Sequence, residues 1–497
     1  MKLVKISIAA AVACLVTTSV SADDSKRTLK NNMMVVTKQT PKSVDSLAEA
    51  FSEGMFYGRL RMNAFKWDWK NDDTATTGTK DNQAVGVGGS LIYKSAPYKG
   101  VSGTAGLYYT SNPFSTLNMD SADIGYLKAG KDTTSRNQVI GGGKWDYAVL
   151  AEASLQYQYS KTRVIAGRQI FESFLTKSND TKMIPNTFEG FVLETKDIPT
   201  TRVRGAYFRA QKLRDHTSFH DVITFKDKTG NSWNNNDDSA VHKGLSYANF
   251  QAAGKDVNHA LIVVDARNKS IKNLQIDVTY GAVPDVISSL TGEVNYKIPL
   301  GNGYTLTPGV RYMKQMDDGG GAIGGATLKG TLAGVTGSSL GYKDAGSLDS
   351  SLWMARLVLK KGPLKAKIGY SAVADEADIV APWRGFPTGG YTRAMAQYNW
   401  YANTKTWNIE ANYDFDKAGL IPGFSAMARY AMQDFDEDKQ AAGVQADSNI
   451  LHMDLRQNIT PDLYAKVRVG LVSADSRVSG VEKDSYNEYR FELNYLF

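Results

Sequence analysis

Thiol chemistry is missing from the body of this 497-residue chain. Its one cysteine, Cys14, lies in a segment laid out like a secretory signal. That segment has Lys2 and Lys5, an apolar run from Ile6 to Val20, and Val20-Ser21-Ala22 ahead of Asp23-Asp24. Ala11-Val12-Ala13-Cys14 is a poor lipidation box, because the apolar run continues through Leu15 and Val16. Cleavage after Ala22 is expected, and it leaves no disulfide or cysteine–metal site to hold the fold. After residue 22 no stretch reaches the roughly 18 apolar residues of a membrane helix, which excludes a helical membrane protein. Histidine is also scarce, at five. Acid is in deficit, with 51 Asp and Glu against 58 Lys and Arg. An exported chain rarely meets nucleic acid, so no nucleic-acid partner is expected. Basic side chains inside a pore account better for the surplus.

What the chain does have is alternation with period two, the signature of strands with one apolar face. In Trp145–Ser160 the residues Trp145, Tyr147, Val149, Ala151, Ala153, Leu155, Tyr157 and Tyr159 alternate with Asp146, Glu152, Ser154, Gln156, Gln158 and Ser160. Such a run is longer than an ordinary soluble strand and suits a tilted span through lipid. Similar faces are read at Tyr304–Gln315, Leu364–Ser371, Thr406–Phe415 and Leu463–Leu471. Phe65, Trp67 and Trp69 read as an interfacial girdle. The chain ends on Phe491, Leu493, Tyr495 and Phe497, an apolar face running to the carboxylate, with Arg490, Glu492 and Asn494 opposite. Connections alternate between short ones (Ser160–Thr162, Lys361–Pro363, Thr460–Asp462) and long ones (Ser111–Lys144, Arg214–Gly244, Asp317–Ser347, Ala374–Gly390). The pattern predicts an all-β transmembrane antiparallel barrel over 55–497 with long extracellular loops. About 20 candidate strands can be counted, the weakest at Ser246–Ala252 and Asn258–Arg267. Residues 23–54 read as a periplasmic leader of marginal order rather than a plug, with Val44, Leu47 and Phe51 on one side of a short helix.

Several segments resemble the OprD family of outer-membrane porins. They are Gly167-Arg168-Gln169, Lys182–Gly190, Ala206-Tyr207-Phe208 with Lys212–Asp215, Gly419–Phe424 with Arg429-Tyr430, and Asn487–Phe491. The resemblance implies 18 strands, one loop folded into the pore and a path for small carboxylate-bearing solutes. At 18 strands, two of the candidates belong in loops. The resemblance also makes Phe171–Thr187 the inward loop, with Asn179, Asp180 and Lys182 at the narrowest point. It further marks Phe491, Leu493, Tyr495 and Phe497 as the signal read by the barrel-assembly machinery.

Parity places Arg59, Arg61, Arg311, Arg356, Lys365, Lys367, Arg393, Arg429, Lys466, Arg468 and Arg490 opposite the apolar face. Arg168 joins them if Ile165 and Phe171 face lipid. A guanidinium in the lipid belt costs about 2–4 kcal/mol at mid-depth, which enforces that parity. Glu152, Glu410, Glu492 and Asp277 are candidates to neutralise some of these bases. Gly319–Gly324 spells GxGxxG, but it sits in a loop with no helix expected after it, so no nucleotide site is read there. His216 and His220 have the spacing of a metal pair but read as a surface loop. His452 falls on the inward face beside Asp454, poorly placed for a lipase at the rim. The expected function is therefore a porin for small hydrophilic solutes, with no catalysis, metal or cofactor, in contact with outer-membrane lipid. A structural or adhesive barrel with a closed lumen is the alternative. Monomer and homotrimer both stay open.

Overall fold

The computed structural model describes residues 27–30, 33–75, 78–113, 123–127, 133–224, 242–330, 341–395, 397–437, 439, 446–475 and 484–497. The signal segment, residues 1–22, lies outside them. A hairpin of β1 (Arg27–Leu29) and β2 (Val35–Thr37) comes first, then a short helix at Leu47–Ser52. The wall begins with β3 (Met55–Trp69), β4 (Asn82–Lys94), β5 (Val101–Ser111), β6 (Asp146–Tyr159), β7 (Thr162–Gln169), β8 (Thr187–Thr195) and β9 (Thr201–Lys212). It continues with β10 (Leu261–Asn268), β11 (Leu274–Val283), β12 (Ile287–Tyr296), β13 (Ile298–Gly301), β14 (Tyr304–Asp317), β15 (Ser350–Lys361) and β16 (Leu364–Val373). It ends with β17 (Lys405–Asp414), β18 (Phe424–Asp434), β19 (Ser448–Asn458), β20 (Leu463–Ala474) and β21 (Tyr486–Leu496). Successive strands are antiparallel, and β21 pairs with β3 to close the barrel. Because β12 and β13 both pair along β14, they form one stave, and the wall has 18 strands. Closure satisfies the backbone within lipid, where no water is available to do so. At the seam, Gly58 N donates to Phe497 O at 2.9 Å and Phe497 N donates to Gly58 O at 3.2 Å.

Alternation sorts the wall as expected along most strands. On β21, Phe491, Leu493 and Tyr495 point outward, while Arg490, Glu492 and Asn494 are buried inside. Tyr157, Phe191, Tyr207, Tyr312, Trp353 and Trp407 stay exposed on the outer surface, as an aromatic belt should.

As a wall of 18 strands requires, Ser246–Ala252 is no strand: Ser246 caps a short helix, Tyr247–Ala252. Three readings change. The other weak segment does enter the wall as β10, its Leu261, Val263 and Asp265 buried on the inner side. Phe65 and Trp67 are buried in the lumen instead of forming a girdle, because they continue the parity of Arg61 and Asn63; Trp67 stacks near Tyr486 with ring centroids 4.2 Å apart. The long alternation of β6 is broken by a bulge opposite Gly106 and Leu107. The extra residue reverses the faces there. Leu155, Tyr157 and Tyr159 stay outside, but Tyr147, Val149 and Ala151 turn inward, and the Tyr147 hydroxyl donates to Arg214 O at 2.8 Å.

Candidate functional site

Two long connections enter the lumen and meet there. The first runs between β7 and β8, the second between β16 and β17. Gly385 N donates to Leu175 O at 2.7 Å, and Asn186 Nδ2 donates to Trp383 O at 3.4 Å, which joins them. The first loop is held by wall bases that donate to its main-chain carbonyls. Arg59 reaches Met183 O at 2.7 Å, and Arg61 reaches Lys182 O at 2.7 Å and Asp180 O at 2.5 Å. Asn63 reaches Thr181 O at 3.0 Å, and Arg490 reaches Asp180 O at 2.5 Å. The second loop is gripped in the same way. Arg311 donates to Pro387 O and Gly389 O, both at 3.3 Å, Arg356 to Gly390 O at 3.1 Å, and Arg429 to Arg393 O at 2.8 Å. A guanidinium suits this task because its planar fork presents five donors and cannot be deprotonated.

Each of five wall acids contacts two bases on its own or nearby strands. Asp265 is bracketed by Arg202 at 3.2 Å and Arg204 at 2.5 Å. Glu293 lies between Arg311 at 2.5 Å and Arg356 at 3.0 Å. Glu410 lies between Lys367 at 2.8 Å and Arg429 at 2.5 Å. Asp454 takes Lys466 at 3.1 Å and Arg468 at 2.6 Å, and Glu492 takes Arg61 at 2.7 Å and Arg490 at 2.6 Å. Across these five sites ten bases stand against five acids, and Asp180 of the first loop offsets one more, so four positive charges are left over. Lys365 also lies on the inner face of β16. The Tyr391 ring lies under both Arg311 and Arg356, at 4.7 and 4.4 Å from its centroid, and Phe174 lies under Arg311 at 4.8 Å. A narrow cleft runs beside this group between Phe174, Thr176, Val263, Thr279, Ser289 and Trp383.

Three of the residues singled out from sequence stand elsewhere than expected. Arg168 is on the outer face. Ile165 and Phe171 pack into the interior cluster, so parity sends Arg168 outward with Val164 and Ala166. There it pairs with Glu189 at 2.9 Å, which also binds Arg209, and its guanidinium lies over the Phe219 ring. Arg393 has no strand parity at all, because residues 374–404 form the second loop; its guanidinium lies over the Phe386 ring, inside. Lys182 belongs to the inward loop but does not face an aqueous path. Its side chain is 1% exposed and its Nζ bonds Asp215 at 2.8 Å, joining the first loop to the 213–220 segment. Asn179 accepts from Arg214 in the same junction, and Asp180 lies 3.6 Å from both Arg490 and Lys466.

His216 and His220 are buried rather than in a surface loop, with ring nitrogens 2.7 Å apart. Among the described residues, no group of three or more His, Cys, Asp or Glu side chains is set to hold a metal. His452 lies inside, with Nε2 2.9 Å from Asp454 Oδ1. A helical turn does form at Gly321–Gly324, contrary to expectation, but it packs tightly: a Cβ on Gly324 would lie 2.9 Å from the His242 ring. Arg202, Arg204, Asp265 and Glu293 escaped the sequence reading. The alternation of Val203 and Tyr207 with Arg202 and Arg204 carried the signal, in a part of the wall whose neighbouring strand was weak.

A closed barrel of 18 strands with loops folded into a basic lumen defines an outer-membrane channel. A family model for the outer membrane porins of the OprD family matches residues 127–497, and the chain belongs to that family. It is a channel, not an enzyme. Solved structures with the same fold include OpdK of Pseudomonas aeruginosa with vanillate, at 14% identity and TM-score 0.64, covering 90% of this chain and 99% of that one. OccAB1 of Acinetobacter baumannii is 17% identical, with TM-score 0.65 and coverage of 90% and 97%. OccK8 (OprE) of Pseudomonas aeruginosa is also 17% identical, with TM-score 0.65 and coverage of 89% and 98%. No protein of curated function matches the chain.

Proposed function

We propose that this porin gives small hydrophilic solutes a passive, weakly selective route and favours those that carry a carboxylate. The observation that carries the reading is the surplus of bases over wall acids, set out for Glu293 with Arg311 and Arg356. Arg311 and Arg356 are held by Glu293 and by loop carbonyls, yet their two charges exceed the one on Glu293, and that net positive charge draws a passing carboxylate. The solved relative OpdK, which was crystallised with vanillate, is consistent with this chemistry. Export through a leader cleaved after Ala22, and insertion guided by Phe491, Leu493, Tyr495 and Phe497, belong to the same reading. Liposome swelling with acidic, basic and zwitterionic amino acids of similar size tests it. The acidic ones should enter fastest, and equal rates across the three classes would refute the preference.

A further inference from the structure

We propose that the amino-terminal hairpin is a displaceable plug that narrows the pore from the periplasmic side. β1 and β2 pair in register from Arg27↔Thr37 to Leu29↔Val35, and Met33 N donates to Lys30 O at 2.9 Å. The hairpin packs against the inner side of β21 and β3. Met33 is 0% exposed and Val35 is 2% exposed. The Met33 sulfur lies 3.8 Å from Arg61 Nη1, on the same guanidinium that holds Lys182 O and Asp180 O of the first inward loop. Wall, inward loop and amino terminus therefore converge on Arg61.

The side of entry follows from the wall. β3 starts at Met55 beside Phe497, at the end of the barrel that carries the short turns, the periplasmic end in this class. Residues 44–54 dock on that rim. Val44 N donates to Pro97 O at 3.0 Å, Ala96 N to Ala50 O at 2.9 Å, and the Tyr93 hydroxyl to Phe51 O at 2.7 Å. Between the rim anchor and the hairpin run residues 38–43, which span up to ~20 Å when extended. That is enough to let the hairpin leave the lumen while the anchor stays docked. Two strands of three residues are too small to be stable alone, so the hairpin is ordered by its seat. Its apolar residues, Met33 and Val35, occupy space that water and solute would otherwise fill beneath the constriction. Leaving would uncover Arg61 to the periplasmic half of the lumen.

The test is single-channel recording of the full chain against a deletion of residues 27–41 that keeps residues 1–26 ahead of residue 42. The deletion should show a larger unit conductance and lose brief partial closures. Unchanged conductance in a deletion that retains heat-modifiable migration on gels would overturn the proposal. Should the deletion fail to fold, Met33→Cys decides. A charged methanethiosulfonate added from the periplasmic side should modify it far more slowly than Leu47→Cys on the exposed rim helix, and conductance should rise as it reacts. Equal rates with no change in conductance would overturn the plug.

Discussion

Glu293→Gln should make the channel more selective for anions. The carboxylate accepts from Arg311 Nε at 2.7 Å and lies 3.0 Å from Arg356 Nη2, and these side chains keep 12–20% of their surface exposed. Removing one negative charge ~5 Å from a passing solute changes its energy by ~0.5–0.8 kcal/mol in water with physiological salt, roughly a two- to fourfold change in occupancy. Anions gain by that factor and cations lose by it. The substitution should leave the barrel folded. Arg356 retains Asn295 Oδ1 at 2.7 Å and Gly390 O at 3.1 Å, and Arg311 retains the two carbonyls of the second loop. Reversal potentials across a salt gradient in planar bilayers read the change. Glu189→Gln is the internal control, because Glu189 pairs with Arg168 and Arg209 on the outer face and should leave the potential where it was. A Glu293→Gln channel with an unmoved potential, or one shifted towards cations, would mean that permeating ions do not pass Arg311 and Arg356.

Two further outcomes follow from the rim and the seam. His242 ties residues 242–245 to the loop after β14: burial lowers its pKa from 6.5 to about 4, Gly244 N and Leu245 N donate to Nδ1 at 3.1 and 3.2 Å, and Nε2 meets Gly325 O at 2.9 Å. With the pKa depressed on folding, the neutral ring stabilises the tie fully above pH 6.5, and on the order of 3 kcal/mol is lost as pH falls through about 4. Amide protection at Gly244 and Leu245, referenced to intrinsic exchange at each pH, should drop across that window, and flat protection would contradict it. Deleting Phe497 removes the paired bonds with Gly58 and the ring stacked 6.4 Å from Tyr495. Insertion yield should fall while inserted channels conduct normally, and normal yield would count against an assembly role.

The wall was legible because lipid and water impose opposite demands on successive residues, and on most strands nothing interrupts the period. It failed where the backbone departs from the pleat. One bulge on β6 reversed Tyr147 and Val149 while leaving Tyr157 correct, at the apolar run Tyr147–Ala151 where Ala148 and Leu150 leave no alternation to fix the faces. Arg168 was misplaced for a related reason. Its inward placement is conditional on Ile165 and Phe171 facing lipid, and the interior has its own apolar cluster under the inward loops that takes them instead. Hydrophobicity alone cannot distinguish those two destinations. The loop contacts were illegible altogether. Nothing in the spacing of Arg61 and Asp180, or of Arg429 and Arg393, links residues that far apart in sequence.

Those long-range contacts change what the wall bases do. A water-filled pore needs its loops fixed, since a shift of either one alters the width that solutes meet. The loops bring main-chain carbonyls into the lumen that strands cannot satisfy, and unmet acceptors there would cost about 1–3 kcal/mol each. Arg61, Arg490, Arg311, Arg356 and Arg429 meet those carbonyls and the wall acids with the same side chains. Glu293, Glu410 and Glu492 thus orient guanidiniums for the loops as well as trimming their charge. Pore width and selectivity are therefore coupled: a substitution that frees a base to attract anions also removes one of the contacts that orient that base for the loop. For Glu293 the remaining acceptors limit that second effect. The same holds for Glu492, because Arg61 keeps Lys182 O and Asp180 O while Arg490 keeps Asn63 Oδ1 and Asp180 O.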